Sequence, residues 1–189
     1  MAGFGVNVAI LNDGKILLTR REDFEVWCLP GGVVEPGESV AEAAVREARE
    51  ETGLEVELTR LVGIYSRPNW RDGGDHDVVF SATPVGGKLT PQVDEVIDIT
   101  YVSPTSLPEP LVWWHRQRIE DAVNSNGSVA WSQDTAWPLS GIKSRQELYR
   151  IRDDSPLSRQ ELYLRYLHKS GPEGERLEVR NGEEEADDE

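Results

Sequence analysis

Residues 32–54 read GVVEPGESVAEAAVREAREETGL, and the reading of the whole chain turns on this stretch. Gly31-Gly32 and Pro36-Gly37 bend the backbone, and Ser39-Val40-Ala41-Glu42 has the S-x-x-E form of a capping box, which predicts a helix beginning at Val40. Gly53 ends that helix, because a left-handed residue there costs glycine little. Glu47, Glu50 and Glu51 stand at i, i+3 and i+4, so their carboxylates share an arc about 100° wide. Ala41, Val45, Ala48 and Thr52 are expected on the other side, as a small-residue stripe lying against a sheet. Like charges at this spacing destabilise a helix by about 0.2–0.5 kcal/mol per pair. Arg46 can bridge to Glu50 and back to Glu42, but one guanidinium does not neutralise three carboxylates. A hard divalent cation does, and all-oxygen ligation suits Mg²⁺, with Mn²⁺ as its substitute. The other reading is a surface helix laced with salt bridges.

From the glycine onward the residues run Gly32, five positions, Glu38, seven positions, then Arg46-Glu47-Ala48-Arg49-Glu50-Glu51-Thr52-Gly53-Leu54. This resembles the signature of the Nudix hydrolases, G-x5-E-x7-R-E-U-x-E-E-x-G-U with U aliphatic. Every fixed position, Gly32, Glu38, Arg46, Glu47, Glu50, Glu51 and Gly53, matches, and Ala48 is smaller than the usual aliphatic residue. Weaker resemblance runs through roughly the first 110 residues.

The chain has 189 residues, a net charge of −15 and 38% hydrophobic residues, enough for one domain with a full core and an appendage. Residues 173–189 hold nine acids and two bases, a net of −7, with almost no apolar content. From residue 171 onward this composition predicts a disordered tail. The remaining −8 argues against a broad nucleic-acid surface, which needs clustered Lys and Arg, and leaves room for a small anionic substrate if a metal carries the attraction. No apolar run nears the roughly 18 residues of a membrane span. The single cysteine, Cys28, lies in an apolar run and reads as a buried core thiol of a cytoplasmic protein.

Residues 5–11 and 16–20 are apolar runs around Asn12-Asp13-Gly14, a hairpin signal. Residues 26–29 form a short strand, and the connection before it carries Arg20, Arg21 and Phe24, where an arginine can hold a phosphate and an aromatic ring can stack on a base. Residues 56–65 and 78–85 read as strands, the second closed by Gly86-Gly87. Between them residues 66–76 form a polar, glycine-rich loop with an exposed Trp70, which together with Arg67 or Arg71 suits a base-and-phosphate clamp. A core Phe24, a packed Trp70 and solvated arginines are the alternatives. His76 reads as a strand-start residue. Residues 96–102 form a further strand behind Asp94 and Glu95.

Past residue 110 the resemblance fades. Residues 111–123 look helical, Trp131 and Trp137 sit in an irregular stretch, and SRQELY occurs twice, at residues 144–149 and 158–163. Each copy opens with a capping box, so two helices broken near Pro156 are expected. Whether they cap a cleft, face a second copy in a homodimer or add core is open. The resemblance implies an α/β (α+β) sandwich of a mixed β-sheet between helices over residues 1–110. A helical C-terminal extension over 111–170 and the tail over 171–189 follow.

The resemblance also implies Mg²⁺-dependent hydrolysis of a pyrophosphate bond in a nucleoside diphosphate linked to another moiety. Pro68, about fifteen residues past the motif, is similar to a proline of the ADP-ribose pyrophosphatases and ranks an ADP-ribose-like substrate first. In the implied scheme Gly32, Glu47, Glu50 and Glu51 serve the metal, Arg46 orients a carboxylate, and Glu50 or Glu95 takes the proton from water. The alternatives are hydrolysis of oxidised (d)NTPs and a non-catalytic nucleotide sensor, though the motif shows none of the damage expected of a sensor.

Overall fold

The computed structural model describes residues 3–70, 73–92, 94–124, 127–133, 137, 139, 141–142, 144–168 and 174–180. In chain order the elements are β1 (Gly3–Asn12), β2 (Lys15–Arg21), β3 (Trp27–Cys28), β4 (Gly31–Val33), α1 (Val40–Thr52), β5 (Leu54–Arg67) and β6 (Asp75–Gly87). They continue with β7 (Val96–Val102), α2 (His115–Asn124), β8 (Val129–Gln133), α3 (Arg145–Asp154), α4 (Arg159–Tyr166) and β9 (Glu175–Arg180).

The strands join in the order β3-β2-β1-β6-β5-β8-β9, with β4 on β1 and β7 on β2. β1 runs parallel to β6, and β5 parallel to β8, while β5 and β6 are antiparallel, so the sheet is mixed. Alternation along β1 sends Val6, Val8 and Ile10 to one face, where they pack with Ala43, Ala44 and Ala48 of α1. Ala9 faces the other way, into a core with Ile119 and Ala122 of α2. Helices therefore cover both faces, which is the expected α/β sandwich. The Asn12–Lys15 pair closes the predicted hairpin, with Asp13 and Gly14 both at positive φ.

The capping box on α1 forms as read: the Ser39 hydroxyl accepts from the Glu42 N–H, and the Glu42 carboxylate accepts from the Ser39 N–H at 2.8 Å. Gly53 sits at φ 72° and its N–H donates to Arg49. The buried face differs from the expected one. Ala43, Ala44, Ala48 and Thr52 face inward, while Ala41 and Val45 are exposed. The inward arc also contains Glu47 and Glu51, so the acids and the alanines overlap rather than oppose one another.

The region past residue 110 differs further. Trp131 lies in strand β8, which extends the main sheet alongside β5, so the sheet does not stop at residue 110. Glu175–Arg180 pairs with β8 as an edge strand, although it falls in the tail expected to be disordered; backbone pairing and the partly buried Leu177 offset its charged composition. Residues 171–173 and 181–189 lie outside the described residues. The two SRQELY helices form as predicted, each with its capping box, and bury Leu148, Leu162 and Tyr163 against Phe24, Val26 and Cys28. Cys28 is buried and its thiol is pushed up to about 12, chiefly by burial, as expected of a core thiol.

Candidate active site

Helix α1 presents its acids to β4. The Glu47 carboxylate lies so close to Gly32 that a Cβ there would stand 2.2 Å from its Oε1, so any side chain at this position would displace the carboxylate from where it now sits. Glu51 is 7% exposed, and its Oε2 accepts from the Gly31 N–H at 3.1 Å. Burial pushes Glu51 up to about 8, and the neighbouring charges of Glu47 and Glu95 act in the same direction. Glu47 is raised too, first by burial and then by Glu50 and Glu95. Glu50 stands at the rim, its side chain about half exposed.

Arg46 answers these charges differently from the expected pairing. Its Nη1 lies 2.9 Å from Glu47 Oε1 and 3.0 Å from Glu50 Oε2, and its Nη2 pairs with Glu38 at 2.6 Å and with the Val33 carbonyl at 3.1 Å. Glu42 is not a partner, because the capping box occupies it. Glu38 thereby acquires a role, holding the guanidinium between the loop and the helix. Among the described residues no three His, Cys, Asp or Glu side chains converge in a metal-ready arrangement. The donor set nevertheless fits a hard cation: two carboxyls pushed above their ordinary range at a glycine-lined bend, with Glu95 adding to the same repulsion.

On the other side of Gly31-Gly32 a cavity of about 260 Å³ runs between the sheet and the C-terminal helices. Phe24, Trp70, Trp114, Trp137, Tyr149 and Tyr163 give it aromatic walls. Its polar end is built by Asn7 on β1, Asp77 on β6 and Arg118 on α2. Arg118 is fully buried; Nη2 donates to Asp77 at 2.8 Å and Nη1 donates to Asn7. Burial disfavours the Asp77 charge, but Arg118 and Arg67 outweigh it and hold the carboxyl below its ordinary range. His115 is kept neutral by burial and by the same cations, and its Nδ1 accepts from the Leu29 N–H at 3.0 Å.

The expected substrate contacts are partly rearranged. Phe24 lines the cavity, but Arg20 does not: it donates to the Glu25 carbonyl and pairs with the Glu25 carboxylate, and Arg21 takes the cavity position. Arg20 and Arg21 are consecutive on β2 and so point to opposite faces, and it is the Arg21 face that meets the cavity; the bulged residue at this point, Ile97, lies on the partner strand β7. Trp70 is buried, 5% exposed, because Trp114 and Trp137 pack edge-on against it. Arg67 is buried as well, paired to Asp77 at 3.0 Å and stacked over Trp114. Both still line the cavity; Arg71 lies outside the described residues. Asn7, Asp77, His115 and Arg118 are not singled out by the sequence, and Tyr149 stands there only as the end of a repeat, with no site role. One signal was available: His115, Arg118, Ile119 and Ala122 share a helix face, and charge on an apolar face marks a buried polar site.

Comparison with known proteins bears on this geometry. The family model described as NUDIX domain matches residues 1–122. A candidate 8-oxo-dGTP diphosphatase of Bacillus subtilis is 40% identical over 126 residues, covering 66% of this chain and 83% of that protein. An ADP-ribose pyrophosphatase of Methanocaldococcus jannaschii is 39% identical over 121 residues, covering 61% of this chain and 70% of its own length. The crystal structure of an ADP-ribose pyrophosphatase from Streptococcus suis superposes with a TM-score of 0.57 at 27% identity, over 66% of this chain and 92% of that one. Together with the intact motif and the sandwich built around it, these matches show that the chain belongs to the Nudix hydrolase family.

Proposed function

We propose that this protein hydrolyses a pyrophosphate bond in a nucleoside diphosphate linked to another moiety, with an ADP-ribose-like substrate favoured and Mg²⁺ required, Mn²⁺ substituting. The observation that carries the reading is the adjacency of two features across Gly31-Gly32: the strained acid cluster of α1 and the aromatic-walled cavity. The first suits a metal and a diphosphate, the second a planar ring. Glu47, Glu50 and Glu51 would hold a divalent ion, whose chemistry when bound would be to polarise phosphoryl oxygens and lower the pKa of water. The chain's own residues do the rest. The close approach of backbone at Gly32 leaves room beside Glu47, and Arg46 fixes the carboxylates of Glu47 and Glu50 in orientation. Arg21, lining the cavity within electrostatic range of Glu51, meets phosphate. Glu95 or Glu50, both at the exposed rim, accepts the proton as water attacks phosphorus.

A second reading, hydrolysis of an oxidised dNTP, is favoured by the 40% identical Bacillus subtilis relative and by the polar end of the cavity, where Asn7, Asp77 and Arg118 suit the edge of a base. The test is a panel of ADP-ribose, other nucleoside diphosphate conjugates and oxidised and ordinary dNTPs with Mg²⁺, products separated by chromatography. AMP and ribose 5-phosphate from ADP-ribose at the highest kcat/KM are expected. Preference for 8-oxo-dGTP would establish the second reading, and binding without turnover would reduce the protein to a nucleotide sensor.

A further inference from the structure

The repeated SRQELY helices converge on one short segment, the connection between β2 and β3. In the second copy Arg159 Nη1 donates to the Glu22 carbonyl at 2.7 Å and pairs with the Glu22 carboxylate, while Gln160 Nε2 donates to the Glu25 carbonyl at 3.2 Å. In the first copy the Tyr149 hydroxyl donates to Asp23 Oδ2 at 3.0 Å, its ring packs on Phe24, and Arg152 Nη1 donates to the Asp23 carbonyl at 3.3 Å. Glu22, Asp23 and Glu25 are thus held by hydrogen bonds, and Phe24 by a ring contact, from more than a hundred positions away. The segment needs holding, since Glu25 sits at φ 53°, a conformation that non-glycine residues adopt rarely.

Two site residues hang from this connection. Arg21 precedes it, and Asp23 grips its guanidinium at two points, Nε to Oδ1 at 2.9 Å and Nη2 to Oδ2 at 2.5 Å. A guanidinium has five N–H donors, so this grip orients Arg21 and leaves donors for a phosphate. The Glu22 N–H donates to the Glu95 carbonyl at 2.8 Å, which ties the base candidate to the same segment. The Tyr149 hydroxyl and Arg21 therefore meet on one carboxylate.

We propose that the paired helices α3 and α4 clamp the β2–β3 connection, and that Tyr149, acting through Asp23, is a positioning residue that sets Arg21 in the cavity beside the acid cluster. The inference rests on the proposed function only for the role of Arg21; the clamp itself stands on geometry.

The test uses the full chain, as wild type, Tyr149→Phe, Arg21→Lys and the double variant. Tyr149→Phe keeps the ring on Phe24 and removes one hydroxyl, so it folds. Hydrogen–deuterium exchange reads the clamp without any substrate: amides of residues 21–25 should exchange faster in Tyr149→Phe, with α1 unaltered. On the best substrate of the panel with Mg²⁺, Tyr149→Phe should lower kcat/KM by about 10-fold, mainly through KM. In the Arg21→Lys background the same change should cost less than about twofold, because its effect passes through Arg21. Unchanged exchange at 21–25, a wild-type KM or additive losses would each overturn the positioning role. A wild type that turns over no member of the panel would sink the proposed function, and the exchange result alone would then decide the clamp.

Discussion

Helix α1 carries Glu47, Glu50 and Glu51 within two turns of one amphipathic segment, whereas the cavity beside it is walled by residues as distant in sequence as Asn7, Asp77, Arg118 and Tyr149. The acids reach their places by helical periodicity, and each one's neighbours are fixed once the helix exists. The cavity residues meet only because β1, β6, α2 and α3 assemble around the connection between β2 and β3. A local cluster can be built with its charges unbalanced, as the raised Glu47 and Glu51 show. An assembled one must balance them, and Asp77 lies between two buried arginines. The first arrangement is poised to take up a cation, while the second holds its own counter-ions.

Neutralising the cluster should give the largest effect. Glu51→Gln and Glu50→Gln each keep shape and hydrogen bonding but lose the charge, so steady-state turnover with Mg²⁺ should fall by orders of magnitude while circular dichroism stays that of the parent. Near-parent rates in either variant would make α1 a solvated charged face and erase the contrast with the cavity.

The assembled region should fail through packing instead. Leu162 is fully buried against Phe24 and Val26, so Leu162→Ala should cost about 2–5 kcal/mol in urea denaturation. A cost under about 0.5 kcal/mol would mean that α3 and α4 are a loose appendage.

The third contrast is in pH. Glu51 is pushed up to about 8 from an ordinary 4.5, so the unfolded chain ionises it first and the metal-free folded state loses stability as pH rises through that window. Below about 4.5 both states are protonated and the penalty is absent. At about 1.4 kcal/mol for each pH unit, melting temperature without metal should fall clearly between about pH 5 and pH 8, and Glu51→Gln should flatten the fall. Parallel curves for the two proteins would show that Glu51 carries no such strain. The smallest effect belongs to the edge strand. Truncation after Ser170 removes β9, whose side chains are mostly exposed, and should lower the melting temperature while leaving kcat within about twofold.

Legibility in the sequence follows the same division. The capping box, the Gly53 stop, the hairpin at Asp13-Gly14 and the spacing of the three acids are decided within a few residues, and all are found where the sequence puts them. Arg20 and Arg21 read as residues of a connection, but they end strand β2 and point to opposite faces, and which face meets the cavity depends on where the distant helices build its walls. Trp70 sits in a polar loop and reads as exposed, but its partners Trp114 and Trp137 come from beyond the family motif. β8 is only five residues long and β9 is mostly charged, so neither is recognised before the edge of β5 is there to start the pairing. The clamp on residues 22–25 was hidden for the same reason: a repeat shows that two helices exist, not what they hold.

The central claim is that the acids of α1 form a divalent-metal site built at a cost to the metal-free fold, and a thermal shift at constant ionic strength tests it without knowledge of the substrate. A metal that binds only the folded arrangement stabilises it by about 1.4 kcal/mol at ten times Kd, or about 3–6 °C for a chain of this size. Mg²⁺ or Mn²⁺ should therefore raise the melting temperature of the parent, Glu51→Gln should blunt the rise, and the Gln variant of Glu47, Glu50 and Glu51 together should match or exceed the parent when no metal is present. Equal shifts from Na⁺ and Mg²⁺ at matched ionic strength, unaltered in the Gln variants, would mean only general screening and would contradict the claim.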